Sequence, residues 1–127
     1  MNESGGGIKL TDQQRIDWLR LIRSANVVPR TFRDLINRFG GASAALAALP
    51  ELARRGGAAG PARICTAAMA EREIARAQTM GAAFVALGEP DYPMRLQTIY
   101  DAPPMVAIRG QLAAMAQPMV AIVGARN

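Results

Sequence analysis

The last stretch of the chain, Met119-Val120-Ala121-Ile122-Val123-Gly124-Ala125-Arg126-Asn127, places a glycine and an arginine directly after a short run of apolar residues. A continuous apolar run that stops at Gly reads as a buried parallel strand followed by a tight loop. At such a point Gly124 lets the backbone come close to an anion, and the N–H groups of Ala125 and Arg126 can form part of an anion nest. Arg126 adds a planar, permanently charged fork that matches phosphate oxygens two at a time. Phosphate binding beyond the carboxyl end of a strand is therefore the chemistry the sequence offers most clearly.

Other chemistries are poorly supplied. The chain has no His and one Cys, Cys65, which rules out zinc sets and His-activated Ser or Cys nucleophiles among these residues. Cys65 lies among Ile64, Ala68 and Met69 and reads as a small buried thiol. No metal ligand set, cofactor motif or catalytic residue is expected. Twelve of the fifteen Lys/Arg and seven of the ten Asp/Glu precede Gly81, so the net charge of +5 belongs wholly to the first part of the chain. A basic surface there suits a polyanion. Arg20, Arg23, Arg30, Arg33 and Arg38 are the candidates for such a secondary face.

The elements that must position these residues fall into two groups. Residues 1–10, with a Gly triplet and no apolar period, read as a disordered leader without the pattern of a signal peptide. Thr11-Asp12-Gln13-Gln14 fits a capping box opening a helix whose apolar stripe holds Ile16, Trp18, Leu19, Leu21 and Ile22. Trp18, with no aromatic neighbours in sequence, reads as core. Pro29 suits the first position of a second helix carrying Phe32, Leu35, Ile36 and Phe39, which Gly40-Gly41 stops. Ser43 is expected to cap a short helix over residues 44–49, and Pro50 to start a separate brief turn. A longer helix is expected within residues 61–80, without i,i+4 ion pairs of its own.

At Gly81 the pattern changes from helical to short apolar runs. Residues 82–87 and 105–108 read as strands, separated by Gly88-Glu89-Pro90-Asp91-Tyr92-Pro93, a helical turn within residues 94–99, and the rigid break Asp101-Ala102-Pro103-Pro104. The boundaries are accordingly residues 1–10 for the leader, 11–80 for a helical domain and 81–127 for the start of a strand-rich domain. No internal repeat is present. A chain ending one strand into a parallel sheet leaves an open edge, so the 127-residue form is expected to be a truncation that is unstable or self-associates alone.

The ordered series Asp91-Tyr92-Pro93-x-x-Leu96-x-x-Ile99-x-Asp101-x-Pro103-Pro104, then Arg109-Gly110, then Val120-Ala121-Ile122-Val123-Gly124-Ala125-Arg126, closely resembles the DNA-processing protein A family, DprA or Smf. Arg30-Thr31-Phe32-Arg33-x-Leu35-Ile36-x-Arg38-Phe39-Gly40 is similar to that family's N-terminal domain. The resemblance implies a helical domain of sterile-alpha-motif or helix-hairpin-helix type followed by the first strands of an extended Rossmann-like parallel sheet, an α plus α/β architecture. It implies a cytoplasmic, non-enzymatic bacterial protein. Such a protein binds single-stranded DNA in natural transformation, protects it, helps load the RecA recombinase and dimerises through the Rossmann-like domain. It implies Gly124, Ala125, Arg126 and Asn127 as the start of the DNA-phosphate pocket, and Tyr92, Pro93, Pro103, Pro104 and Gly110 as residues that fix the chain's path. The family's hairpin glycines fall at residues 24–28, where this sequence has Asn26-Val27-Val28, which argues against DNA contact through that hairpin. Two readings of other classes stand beside this one: a helical protein-interaction module without a DNA role, and a nucleotide-binding Rossmann-like enzyme such as a phosphoribohydrolase.

Overall fold

The computed structural model describes residues 8–57 and 63–110. Four helices precede two strands: α1 (Asp12–Arg23), α2 (Pro29–Phe39), α3 (Ala42–Arg55), α4 (Ala67–Thr79), β1 (Ala82–Ala86) and β2 (Met105–Arg109), with a 3₁₀ turn at Leu96–Thr98 between the strands.

Local sequence sets most of the helix ends. Thr11 Oγ1 accepts from the Gln14 N–H at 3.1 Å while Gln14 Oε1 accepts from the Thr11 N–H at 2.8 Å, the reciprocal capping box. Pro29 occupies the first turn of α2, where its missing N–H costs nothing, and Gly40 ends that helix at φ +85°. Thr66 caps α4 by accepting from the Met69 N–H. The third helix departs from expectation. Neither the Ser43 cap nor the break at Pro50 is realised; α3 is one helix that starts after Gly41 and contains Pro50. Proline removes one helical hydrogen bond, yet Ala42, Ala45, Leu46, Leu49 and Leu52 keep both halves against one core, so packing overrides the local penalty.

Two apolar clusters share α1. Leu21, Phe32, Leu35, Ala42, Ala45 and Leu46 are buried together between α1, α2 and α3, with Trp18 edge-on to Phe32 at 4.9 Å between ring centroids. Leu10, Leu19, Cys65, Ala70, Ala86 and Met105 form the second, which joins α1 and α4 to both strands. Trp18 is thus packing material, as its sequence setting suggests.

The segment ahead of α1 is a correction to the expected leader. The Ile8 N–H donates to the Gly88 carbonyl at 3.0 Å, and Leu10 is buried with its N–H on Glu89 Oε2 at 2.9 Å. A buried leucine and two long-range backbone bonds order Ile8 to Leu10, which a scan for helical or strand period does not detect. Residues 1–7 lie outside the described residues.

The strands pair antiparallel, with Ala82 opposite Arg109 and Ala86 opposite Met105. A parallel sheet was the expectation for this part of the chain, and this pair does not provide it. Parallel neighbours need a crossover, usually a helix. Here the connection holds only the 3₁₀ turn and folds back on itself: the Leu87 N–H donates to the Pro104 carbonyl at 2.8 Å, and buried Tyr92 donates its hydroxyl to the Pro103 carbonyl at 2.7 Å. The strand expected at residues 119–123 lies outside the described residues.

Candidate nucleic-acid interface

Gly124, Ala125, Arg126 and Asn127 lie outside the described residues, so the interface is built here from the arginines of the helical part. Sequence spacing suggested one face of Arg20, Arg23, Arg30, Arg33 and Arg38. The structure divides them.

Arg20 and Arg23 turn toward α4 and the residues leading into it and are engaged internally. Arg20 Nε donates to the Cys65 carbonyl at 2.9 Å, and its guanidinium lies 3.9 Å from Asp17. Arg23 forks onto Glu73 at 2.7 Å, the ion pair that α4 lacks within itself. That hydrogen bond raises the Arg23 pKa above its ordinary value, against the lowering effect of burial. Nearby Cys65 is buried, and loss of solvation pushes its thiol up, against the pull of Arg20 and Arg23. Cys65 is therefore held as a neutral core thiol.

The loop between α1 and α2 is similarly committed. Ser24 is buried; its hydroxyl donates to the Arg20 carbonyl at 2.7 Å and accepts from the Cys65 N–H at 3.2 Å. The Ala25 N–H donates to the Arg63 carbonyl at 2.9 Å. Asn26 supplies the turn with φ +67°, a conformation Asn tolerates better than β-branched residues. A left-handed turn position is thus present at Asn26. Its neighbouring Ala25 N–H, however, is satisfied within the protein and is not offered to a phosphate.

Arg30 and Arg33 present a different environment. Three residues apart on α2, they share a face, and both meet Tyr100. Arg30 Nη2 donates to the Tyr100 hydroxyl, with its guanidinium carbon 5.3 Å from the ring centroid. Arg33 Nη2 donates to the Tyr100 carbonyl at 3.1 Å. Tyr100 itself is 66% exposed, beside exposed Ile99. Among the described residues, neither Arg30 nor Arg33 has a carboxylate within salt-bridge distance. Arg38 sits apart, its guanidinium carbon 5.1 Å from the Phe39 ring.

A buried acidic group that sequence reasoning missed lies at the start of the connection. Glu89 is buried at the turn after β1, where Arg15 donates to both its carboxylate oxygens at 2.7 and 2.8 Å. The Leu10 and Ala86 N–H groups add bonds of 2.9 and 2.8 Å. Burial alone would raise the Glu89 pKa; the Arg15 hydrogen bonds, the two backbone N–H groups and the Arg15 charge outweigh it and hold the carboxyl at about 2. One carboxylate thereby ties residues ahead of α1, α1 itself and the strand turn together, which sets the start of the connection that carries Tyr100. Its only sequence signal is an acidic residue inside the Gly-Glu-Pro turn, and its partner lies in another element.

The adjoining cleft of about 510 Å³ does not suit a polyanion. Lys9 and Arg15 line it, but Asp12, Glu71, Glu89 and Asp91 do as well. Among the described residues no group of three or more metal-ligating side chains comes together, and no helix is long and apolar enough to cross a membrane.

Comparison with known families gives two matches in chain order. The family model of the DprA-like N-terminal HHH domain matches residues 12–76, and that of DNA recombination-mediator protein A matches residues 83–127. The first covers α1 to α3 and most of α4. The second covers most of β1, Tyr92, Tyr100, β2 and the terminal Gly124-Ala125-Arg126-Asn127. No curated protein matches the chain significantly.

Proposed function

The chain belongs to the DprA family of DNA recombination mediators, and from that premise we propose that it binds single-stranded DNA, shields it, and helps load RecA during natural transformation and recombination. The observation that carries this reading is the second family match, which runs through residues 83–127 and so includes the terminal loop. In that loop Gly124 allows close approach of a phosphate, Ala125 and Arg126 supply N–H donors, Arg126 supplies the bidentate charge, and Asn127 continues the loop. The protein acts by binding rather than catalysis, needs no cofactor, and works in the cytoplasm as a homodimer formed through its Rossmann-like domain. The helical domain spans residues 11–80 and the Rossmann-like domain begins at residue 81.

The secondary basic face narrows to Arg30 and Arg33. Arg20 and Arg23 hold α4 and its lead-in, so they belong to the scaffold.

Titration of a fluorescent oligo-dT strand over a range of salt tests the reading. Binding is expected to weaken steeply with salt, and Arg126→Ala to lower affinity about tenfold and the salt slope by about 0.7, the loss of one phosphate contact to a single strand. Unchanged binding by that variant would remove the loop from the site. Absence of single-strand binding by the unaltered protein would remove the function. RecA assembly on strands covered by single-strand-binding protein, followed with and without this protein, tests the loading step.

A further inference from the structure

Tyr100 has a setting that neither core packing nor the scaffold explains. The residue is 66% exposed, yet two guanidinium groups from another element are drawn to it, that of Arg30 lying over its ring. Arg30 binds its hydroxyl and Arg33 its backbone carbonyl, so the residue is held while much of it stays open to solvent. Both arginines are exposed, and each uses one N–H on Tyr100 out of the five a guanidinium carries. Among the described residues neither guanidinium makes a further hydrogen bond, and no acidic side chain lies within ion-pair distance of either.

A fixed aromatic plane between positive charges is the combination that receives a nucleobase and its neighbouring phosphates. The ring takes the base face, a sequence-tolerant contact because every base has one, and the guanidinium groups take the flanking phosphates. A duplex cannot use the ring without unstacking, because its base faces are occupied. An acidic peptide could satisfy the charges and would leave the ring without a use.

We propose that Arg30, Arg33 and Tyr100 form a second single-strand contact, in which one unpaired base stacks on Tyr100 and its phosphates bridge Arg30 and Arg33. This rests on the proposed single-strand function and places part of the strand on the junction between the helical part and the β1–β2 connection.

The test uses three probes: an oligo-dT strand, an abasic strand of equal length, and a duplex. Tyr100→Leu keeps apolar bulk without a flat ring and is expected to weaken oligo-dT binding about tenfold while leaving abasic-strand and duplex binding unchanged. Tyr100→Phe keeps the flat ring and loses only the bond from Arg30, and is expected to weaken oligo-dT binding less than Tyr100→Leu does. Arg33→Ala is expected to weaken oligo-dT and abasic strands alike and to reduce the salt slope by about 0.7. Unfolding midpoints check that each variant is folded, as the exposure of Tyr100 leads one to expect. Undiminished oligo-dT binding by Tyr100→Leu overturns the proposal, as does an equal loss on oligo-dT and abasic strands. Competition by poly-glutamate as effective as that by oligo-dT would assign the cluster to an acidic protein partner instead. If Arg126→Ala weakens binding and Tyr100→Leu does not, this contact fails and the terminal site stands. If the unaltered protein binds no single strand, both fail together.

Discussion

Arg15 grips Glu89 through both carboxylate oxygens, at 2.7 and 2.8 Å, with the glutamate side chain only 5% exposed. The pair links α1 to the turn after β1, and the carboxylate also accepts two backbone N–H groups. Removing one member of a buried pair leaves the other uncompensated, at a cost of about 3–5 kcal/mol. Glu89→Leu is expected to lower the unfolding free energy by about 4 kcal/mol, because it strands the guanidinium and orphans the Leu10 and Ala86 N–H groups. Arg15→Met should cost less, since the carboxylate keeps its two N–H donors. Urea denaturation of the two variants checks the order; equal losses would mean that the backbone bonds contribute nothing.

The same carboxyl gives stability a pH dependence of defined sign. Its folded pKa of about 2 lies below the ordinary carboxylate value of 4.5, so the stabilisation is complete above the unfolded value and disappears as pH falls toward the folded one. Unfolding free energy should be level from pH 7 to about 5.5, then drop by about 3 kcal/mol between about pH 5 and 2 on account of this group. Glu89→Gln should show a shallower acid limb, which comparison of unfolding curves at pH 3 and pH 6 would reveal.

Asn26 holds φ +67° between α1 and α2, where the neighbouring Ser24 and Ala25 are tied to residues 63–65. Asn26→Gly is expected to be within about 0.5 kcal/mol of the natural protein, and Asn26→Val to cost about 1–2 kcal/mol or more from backbone strain. Thermal unfolding of both variants separates a conformational requirement from a side-chain one; equal melting temperatures would exclude the former.

Tyr92 is buried, with its hydroxyl on the Pro103 carbonyl, and burial raises its pKa. Tyr92→Phe leaves the ring in place and removes the bond, with an expected loss of about 1 kcal/mol. The unfolding free energy measures it, and no loss would indicate that the antiparallel connection is closed by the backbone alone.

What could be seen in the sequence was what local chemistry determines. The Thr11–Gln14 capping box, the Gly40 stop and the two strand runs depend on residues a few positions apart, and they form where those residues stand. Pro50 stays inside α3 because leucines on either side of it share one core, an effect that propensity does not contain. Ile8 and Leu10 were misjudged because their partners are Gly88 and Glu89. The five candidate arginines divide for a similar reason. Helical spacing places side chains on a face but does not say whether Glu73, the Cys65 carbonyl or Tyr100 waits opposite. At Asn26 the missing glycine counts against DNA contact through the hairpin, and the turn there is left-handed all the same because Asn tolerates φ +67°.

The cluster of Leu10, Leu19, Cys65, Ala70, Ala86 and Met105 draws on both sides of Gly81. Excising the helices would therefore bare Ala86 and Met105 to water, and excising the hairpin would uncap Leu19 and Ala70. The helical portion and the strand pair are therefore expected to melt as one cooperative body, with their amide protons exchanging through a common opening. A strand held on α2 would keep a set spacing from β2, as a mark on a ruler does, instead of swinging on a linker.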